Sequence, residues 1–211
     1  MLITIEGLIG AGKTTLTNTL ASASGCAPFL EPVETNPFLC DYYKNPGRWA
    51  YAMQTHLLFE RFKAFQEAHY RSLRGETCIL DRSYYGDYAF AIVQHEDGFF
   101  TEKEFSSYER MHEALQPQLV YPDVLIWLEL SPEETMERIK KRARGCESGI
   151  PLEYLQHLYD AYQTVLTALE SRCKVVRIDA RPDALSVLSQ VTGVIEDTRK
   201  ILSTSGHPCY K

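Results

Sequence analysis

Short apolar runs rich in β-branched residues alternate along the chain with longer stretches in which apolar side chains recur every three to four positions. The runs Leu2–Glu6, Pro28–Glu31, Thr77–Asp81, Val124–Leu130 and Lys174–Asp179 read as strands. Between the second and third, Trp49, Met53, Leu57, Phe62 and Phe65 keep helical spacing in a helix from about Arg48 to Leu73. Another helix starts at Ser131, an N-cap followed by Pro132 at the first helical position and by Glu134, which closes a capping box; it carries through Arg142. Strands alternating with helices predict a parallel α/β sheet of doubly wound type.

Composition narrows the partners. The 211 residues suit one domain, 1–211, with no internal repeat or Gly/Ser-rich linker and a loose tail at about 203–211. Acidic residues number 28 and basic ones 22, a net charge of −6, which argues against binding nucleic acid or an anionic membrane surface. No apolar run approaches the roughly 20 residues of a membrane-spanning helix. The six cysteines (Cys26, Cys40, Cys78, Cys146, Cys173, Cys209) are scattered without a C-x-x-C pair, which fits a reducing compartment. Met1–Gly7 lacks the basic segment and cleavage site of a secretion signal, so the cytoplasm is the expected location.

Gly7-Leu-Ile-Gly-Ala-Gly-Lys-Thr fits G-x-x-x-x-G-K-[ST] and stands between the first strand and a helix expected near Lys13. Backbone N–H groups of such a turn wrap a β-phosphate, with the positive end of the helix dipole behind them. Lys13 is placed to reach the β- and γ-phosphates, and the Thr14 hydroxyl to join a Mg²⁺ shell. The Asn-Lys-x-Asp guanine motif of GTPases is absent, which disfavours a GTP switch.

Other residues address the acceptor. Glu31 follows the second strand and projects from the carboxyl edge of the sheet, where a carboxylate can orient a primary alcohol and take its proton. Asp81-Arg82-Ser83 closes the hydrophobic run Cys78-Ile-Leu, with Asp81 placed as a Walker-B-like metal ligand, although a strand-end Asp can also cap a turn. Arg138, Lys140, Lys141, Arg142 and Arg144 form a dense cationic run ending in the breaker-rich Gly145-Cys-Glu-Ser-Gly, a pattern that suits a lid as well as a solvated helix face. Arg138 and Arg142 share one helix face.

With Glu31-Pro-Val-Glu, Tyr43, Arg48-Trp49, Gln54, Asp81-Arg-Ser, Arg142-Ala-Arg144, Glu147 and Ile150-Pro-Leu-Glu-Tyr in one order, nearly the whole chain resembles the deoxynucleoside kinase family. That group includes deoxycytidine, deoxyguanosine and bacterial deoxyadenosine kinases. The resemblance implies a P-loop kinase fold, five parallel strands in the order 2-3-1-4-5 with flanking helices and an arginine-rich lid at about 138–149. It implies transfer of the γ-phosphoryl of ATP·Mg²⁺ to the 5′-hydroxyl of a deoxynucleoside, in nucleotide salvage, by a homodimer. Glu31 matches the family's general base; Arg82, Lys13, Arg142 and Arg144 match cations on the transferred group. Gly7, Leu8, Ile9, Gly10, Ala11, Gly12, Lys13, Thr14 and Thr15 correspond to the ATP cradle, with Arg138, Arg142 and Asp183 on the same side. Thr14 and Asp81 fall at the metal, where relatives often carry Glu in place of Asp81.

On the acceptor side the resemblance assigns Glu31, Val33, Leu39, Tyr43, Gln54, Arg61, Arg82, Asp87, Phe90 and Glu147 to the substrate. Gln54 matches an amide paired with the base edge, Arg61 and Asp87 a charged pair beside the base, Phe90 a stacking ring, and Tyr43 with Glu147 the grip on the 3′-hydroxyl. Kinases preferring thymidine typically lack the charged pair, so a purine deoxynucleoside or deoxycytidine is expected. Two rivals stand beside this reading. Thymidylate kinase shares the P-loop, an Asp-Arg dyad and a basic lid, but has an Arg-Glu-Pro-Gly-Gly-like stretch where this chain has Leu30-Glu31-Pro32-Val33. A non-catalytic nucleotide-binding subunit of the same fold would be expected to have lost Lys13, Glu31 or the lid arginines, all of which are present.

Overall fold

A computed structural model describes residues 1–32, 35–142 and 149–204 of the chain. Five parallel strands, β1 (Leu2–Gly7), β2 (Ala27–Phe29), β3 (Cys78–Asp81), β4 (Val124–Glu129) and β5 (Lys174–Asp179), form one sheet in the order β2-β3-β1-β4-β5, as expected. Central β1 pairs Ile3 with Ile79 on one side and with Val124 on the other. Side chains alternate across the sheet, so neighbours along a strand enter different cores. Ile3, Ile5, Val124, Ile126 and Leu128 pack with Leu16 and Leu20 of α1 (Lys13–Ser24) and with Val187, Val191 and Ile195 of α8 (Ala184–Thr204). Leu2, Leu80, Leu125 and Trp127 face the larger core, with α3 (Pro46–Leu73), α4 (Tyr84–Glu96) and α7 (Leu152–Leu169). Burial on both faces explains why Cys78–Leu80 and Val124–Leu128 are continuously apolar.

The second strand is shorter than its apolar run. It lies at the sheet edge and pairs only Ala27, Pro28 and Phe29 with Cys78, Ile79 and Leu80. Leu30 and Glu31 therefore leave the sheet, and an edge position tolerates Pro28. The long helix begins at Pro46, two residues before the expected start, with proline in its first turn. Two further helices, α2 (Leu39–Lys44) and α5 (Glu102–Leu115), complete the acceptor side. Thr101 and Glu104 cap α5 reciprocally.

The expected capping box of α6 (Pro132–Arg142) is formed: the Glu134 N–H donates to Ser131 Oγ at 3.2 Å and the Ser131 N–H to Glu134 Oε2 at 2.8 Å. Removing that cap in Ser131→Ala is expected to cost about 1 kcal/mol and lower Tm by about 2–4 °C, readable by calorimetry. Arg138 and Arg142, expected in the lid, stand on this helix. The rest of the lid, 143–148, with Arg144, Cys146 and Glu147, lies outside the described residues, as do Val33 and the tail from 205 with Cys209. Among the described residues Cys26, Cys40, Cys78 and Cys173 are free thiols, and no helix is long and apolar enough to cross a membrane.

Candidate active site

The carboxyl ends of β1, β2 and β3 converge on one cavity, lined at its phosphate end by Ile9, Gly10, Lys13 and Thr14 and at its far end by Leu39, Tyr43, Met53, Leu57 and Phe90. Glu31, Asp81, Arg61, Arg82 and Arg142 lie between. At the P-loop, Gly12 takes a left-handed φ of 94° to start α1. Gly10 (φ 90°) is in a conformation that a side chain would strain, and a Cβ there would crowd Ile139 Cγ1 of α6 at 3.0 Å. The Lys13 ammonium donates to the carbonyls of Gly7 and Leu8 at 3.1 and 2.9 Å, folded over the loop it serves. Burial, and then the nearby Arg82, lower its pKa to about 7, against partial restoration by Asp81 and Glu31.

The Thr14 hydroxyl donates to Asp81 Oδ2, which brings the two residues expected at the metal into contact. Asp81 Oδ1 is buried without a hydrogen-bond partner among the described residues. An unpaired buried carboxylate oxygen is costly, and a hard cation with oxygen ligands is what would relieve it.

Glu31 is held from two sides. One oxygen pairs with Arg61 Nη2, and the other accepts from Arg82 Nε at 3.0 Å. Desolvation alone would raise its carboxyl, but Arg61, then Arg82 and Lys13, outweigh it and bring the pKa down to about 2. Glu31 is thus a carboxylate at every physiological pH. Arg82 carries the sole left-handed φ among the described non-glycine residues, 71°. The carbon of its guanidinium stands 4.7 Å from the Phe90 ring centroid, and that of Arg61 stands 5.2 Å away.

Of the expected base-reading group, only Arg61 and Phe90 line the cavity. Asp87 is fully buried behind Arg61: Oδ1 pairs with Arg61 and Oδ2 accepts from the Tyr108 hydroxyl. Both carboxylate oxygens are engaged within the protein, and Oδ1 orients the Arg61 guanidinium. Gln54 is also fully buried, with Nε2 donating to the Asp87 carbonyl at 3.2 Å and Oε1 lacking a partner among the described residues. Tyr108, Glu6 and Tyr162 of this polar cluster were not anticipated. Glu6 was visible as the single charge in an apolar strand, whereas Tyr108 and Tyr162 have no local signature.

A second cavity, of about 440 Å³, opens on the other side of the P-loop, lined by Gly12, Thr15, Arg138, Ala180, Pro182 and Leu185 among others. Arg138 Nη2 donates to the Ala180 carbonyl at 2.6 Å. Leu8 is packed in the larger core, and Ala11 borders this second cavity. The Asp183 carboxylate accepts from the N–H groups of Leu185 and Ser186, capping α8.

Residues 3–203 match the family model described as deoxynucleoside kinase. The chain is 37% identical over 177 residues to a deoxyadenosine kinase of Dictyostelium discoideum, covering 84% of this chain and 71% of the relative. It is 32% identical over 210 residues to a deoxyadenosine/deoxycytidine kinase of Bacillus subtilis, covering 94% and 95%. Among solved structures, a deoxyadenosine kinase from M. mycoides with dCMP and a flexible dCDP bound superposes with a TM-score of 0.84 at 28% identity, over 93% of this chain and all of that one. The same enzyme with dATP bound gives 0.82 at 27%.

Proposed function

The chain belongs to the deoxynucleoside kinase family, and from that premise we infer how its cavity phosphorylates the 5′-hydroxyl of a purine deoxynucleoside or deoxycytidine at the expense of ATP, as a step of nucleotide salvage. The observation that carries the residue assignments is the placement of Glu31 in the same cavity as Lys13 and Thr14. A proton acceptor and a phosphate cradle facing one space are what phosphoryl transfer to an alcohol needs.

ATP enters with its triphosphate on the P-loop amides and its adenine in the second cavity, between Arg138 and the segment Ala180–Leu185. Lys13 turns from the Gly7 and Leu8 carbonyls to the β- and γ-phosphates. Thr14 and Asp81 would hold Mg²⁺, which when bound would neutralise charge on the phosphate oxygens. The deoxynucleoside lies with its base between Phe90, Leu57 and Arg61, its sugar against Tyr43, and its 5′-hydroxyl on Glu31. The family resemblance also assigns Val33 and Glu147 to the substrate and Arg144, with Arg142, to the transferred phosphoryl, although Val33, Arg144 and Glu147 lie outside the described residues. Arg61 exchanges its bond to Glu31 for the base, which frees one carboxylate oxygen for the hydroxyl. Glu31 orients that hydroxyl and takes its proton as the O–P bond forms, while Arg82 and Arg142 meet the charge spread over the transferred group.

Incubating the protein with ATP, Mg²⁺, each deoxynucleoside and each deoxynucleoside monophosphate in parallel tests this reading. Monophosphate formed from deoxyadenosine, deoxyguanosine or deoxycytidine supports it; diphosphate formed from thymidine monophosphate alone would favour the thymidylate kinase alternative.

Lys13 gives a pH signature. Its ammonium is lowered to about 7, so near pH 8 it is largely neutral before nucleotide binds. Phosphates restore the charge, so ATP binding should take up close to one proton at pH 8, and affinity should fall as pH rises from 7 to 9. Calorimetric titration at pH 8 in two buffers of different ionisation enthalpy measures the uptake; equal heats in both would contradict it.

A further inference from the structure

Glu6 is a fully buried carboxylate at the end of β1, on the sheet face where the neighbouring strands present Leu80 and Trp127. Its Oε1 accepts from the Ser83 N–H and hydroxyl at 2.7 and 2.6 Å, and its Oε2 from the Tyr162 hydroxyl at 3.0 Å. The Tyr162 oxygen in turn accepts from Arg82 Nη1 at 2.7 Å. A phenol has one proton to give and lone pairs to receive, so this chain of bonds runs in one direction, from guanidinium to phenol to carboxylate. It crosses from α7 to β1, two elements 156 residues apart in sequence.

The guanidinium so held is the one whose Nε holds Glu31 and whose Nη1 also reaches the Gly7 carbonyl at 3.1 Å. Its backbone is left-handed, a conformation that a long side chain keeps only where the surroundings impose it. The Arg82 N–H donates to the Ile5 carbonyl at 3.0 Å, and Ser83, bound to Glu6, caps α4 by accepting from the Gly86 N–H. Glu6 fills the space beside Gly86 so closely that a Cβ there would lie 2.3 Å from Oε1. Residues on both sides of the left-handed position are thus fastened to β1.

We propose that Tyr162 and Glu6 are positioning residues for phosphoryl transfer, which fix the Arg82 guanidinium between the P-loop and Glu31 and so set the general base in place. The inference rests on the kinase reading. Packing does not need the hydroxyl: the Tyr162 ring lies 4.9 Å from that of Trp127 and 5.9 Å from that of Phe90, contacts that a phenylalanine would keep. Among the described residues the hydroxyl oxygen bonds only Arg82 and Glu6. Tyr162 thereby contributes a polar atom to the acceptor site although its own side chain does not line the cavity.

Steady-state kinetics with ATP and a deoxynucleoside that the wild type phosphorylates tests the proposal. Tyr162→Phe should lower kcat about 10- to 100-fold, the scale of a lost hydrogen bond to a charged group, with both KM values within about twofold. Tyr159→Phe, on the same helix with its hydroxyl on Glu129, should leave kcat unchanged. Glu6→Gln should lower kcat in the same way, and the double variant should be no worse than the poorer single one, because both act through one guanidinium. Should Tyr162→Phe not fold, Glu6→Gln carries the same decision between kcat and KM. A Tyr162→Phe enzyme with kcat within about twofold of wild type overturns the proposal, as do effects that multiply in the double variant. An inactive wild type overturns the kinase reading and this inference together, whereas an active wild type with unaffected variants overturns only the inference.

Discussion

Glu31→Gln is expected to lower kcat by about 10²- to 10⁴-fold while the KM for ATP stays within about twofold, the range lost when a positioned proton acceptor is removed. Two carboxylates line the central cavity among the described residues: Asp81, beside Thr14 and assigned to the metal, and Glu31, between Arg61 and Arg82. Glu31 is left to face the alcohol. A glutamine keeps the volume and one acceptor oxygen, but it cannot take a proton, and its amide nitrogen would meet a guanidinium. Steady-state assays varying each substrate decide the matter; kcat within about threefold of wild type would remove Glu31 from the chemistry.

The acid side of the pH profile carries a second signature of the same residue. In the free protein the Glu31 carboxyl sits near 2, because Arg61 and Arg82 overcome the effect of its burial. The stability it supplies is therefore complete above the ordinary carboxyl value of 4.5 and fades as pH falls toward 2. No acid limb from Glu31 should appear in kcat/KM above about pH 4. In kcat, which reports the substrate complex, the limb should move upward if Arg61 has turned to the base.

Asp87→Ala is expected to be the most destabilising single change at the site, by about 3–5 kcal/mol, equivalent to a fall in Tm of about 6–20 °C. Asp87 is wholly buried and its removal strips Arg61 of one of two carboxylates and the Tyr108 hydroxyl of its acceptor. Arg61 would then lean on Glu31 alone, so the KM for the deoxynucleoside should rise by at least about tenfold while the KM for ATP changes little. Thermal melting and substrate titration measure the two effects separately. A Tm within about 2 °C of wild type would show that the buried pair is not held as described.

The sheet and the phosphate end of the site were legible because both are written locally. A P-loop needs only a strand, eight residues and a helix, and β5 was read to the residue, Lys174–Asp179. Failure began where partners are distant in sequence. Helices α4, α5 and α8 were not read, although Ser83, Thr101 with Glu104, and Asp183 each cap one of them. Ser83 and Asp183 each sit in a motif whose chemistry masks a second role as helix cap. Asp87 was expected beside the base and stands one layer deeper, since only the fold shows that Tyr108 occupies its second oxygen. Gln54, expected at the base edge, is fully buried between α3 and α4, where its amide donates to the Asp87 carbonyl, a contact with no local signature.

The central position of β1 has a consequence for synthesis. Ile3 is translated long before Ile79 and Val124, the residues between which it lies. At roughly 5–20 residues per second, the apolar strand waits about 6–24 s for its second neighbour to be made. Until β3 is made Leu2–Gly7 has two open edges, one stays open until β4 follows, and Ile3 and Ile5 leave one of its faces apolar. The nascent chain, more than the finished enzyme, is where this molecule is most exposed to aggregation and most in need of a chaperone's cover.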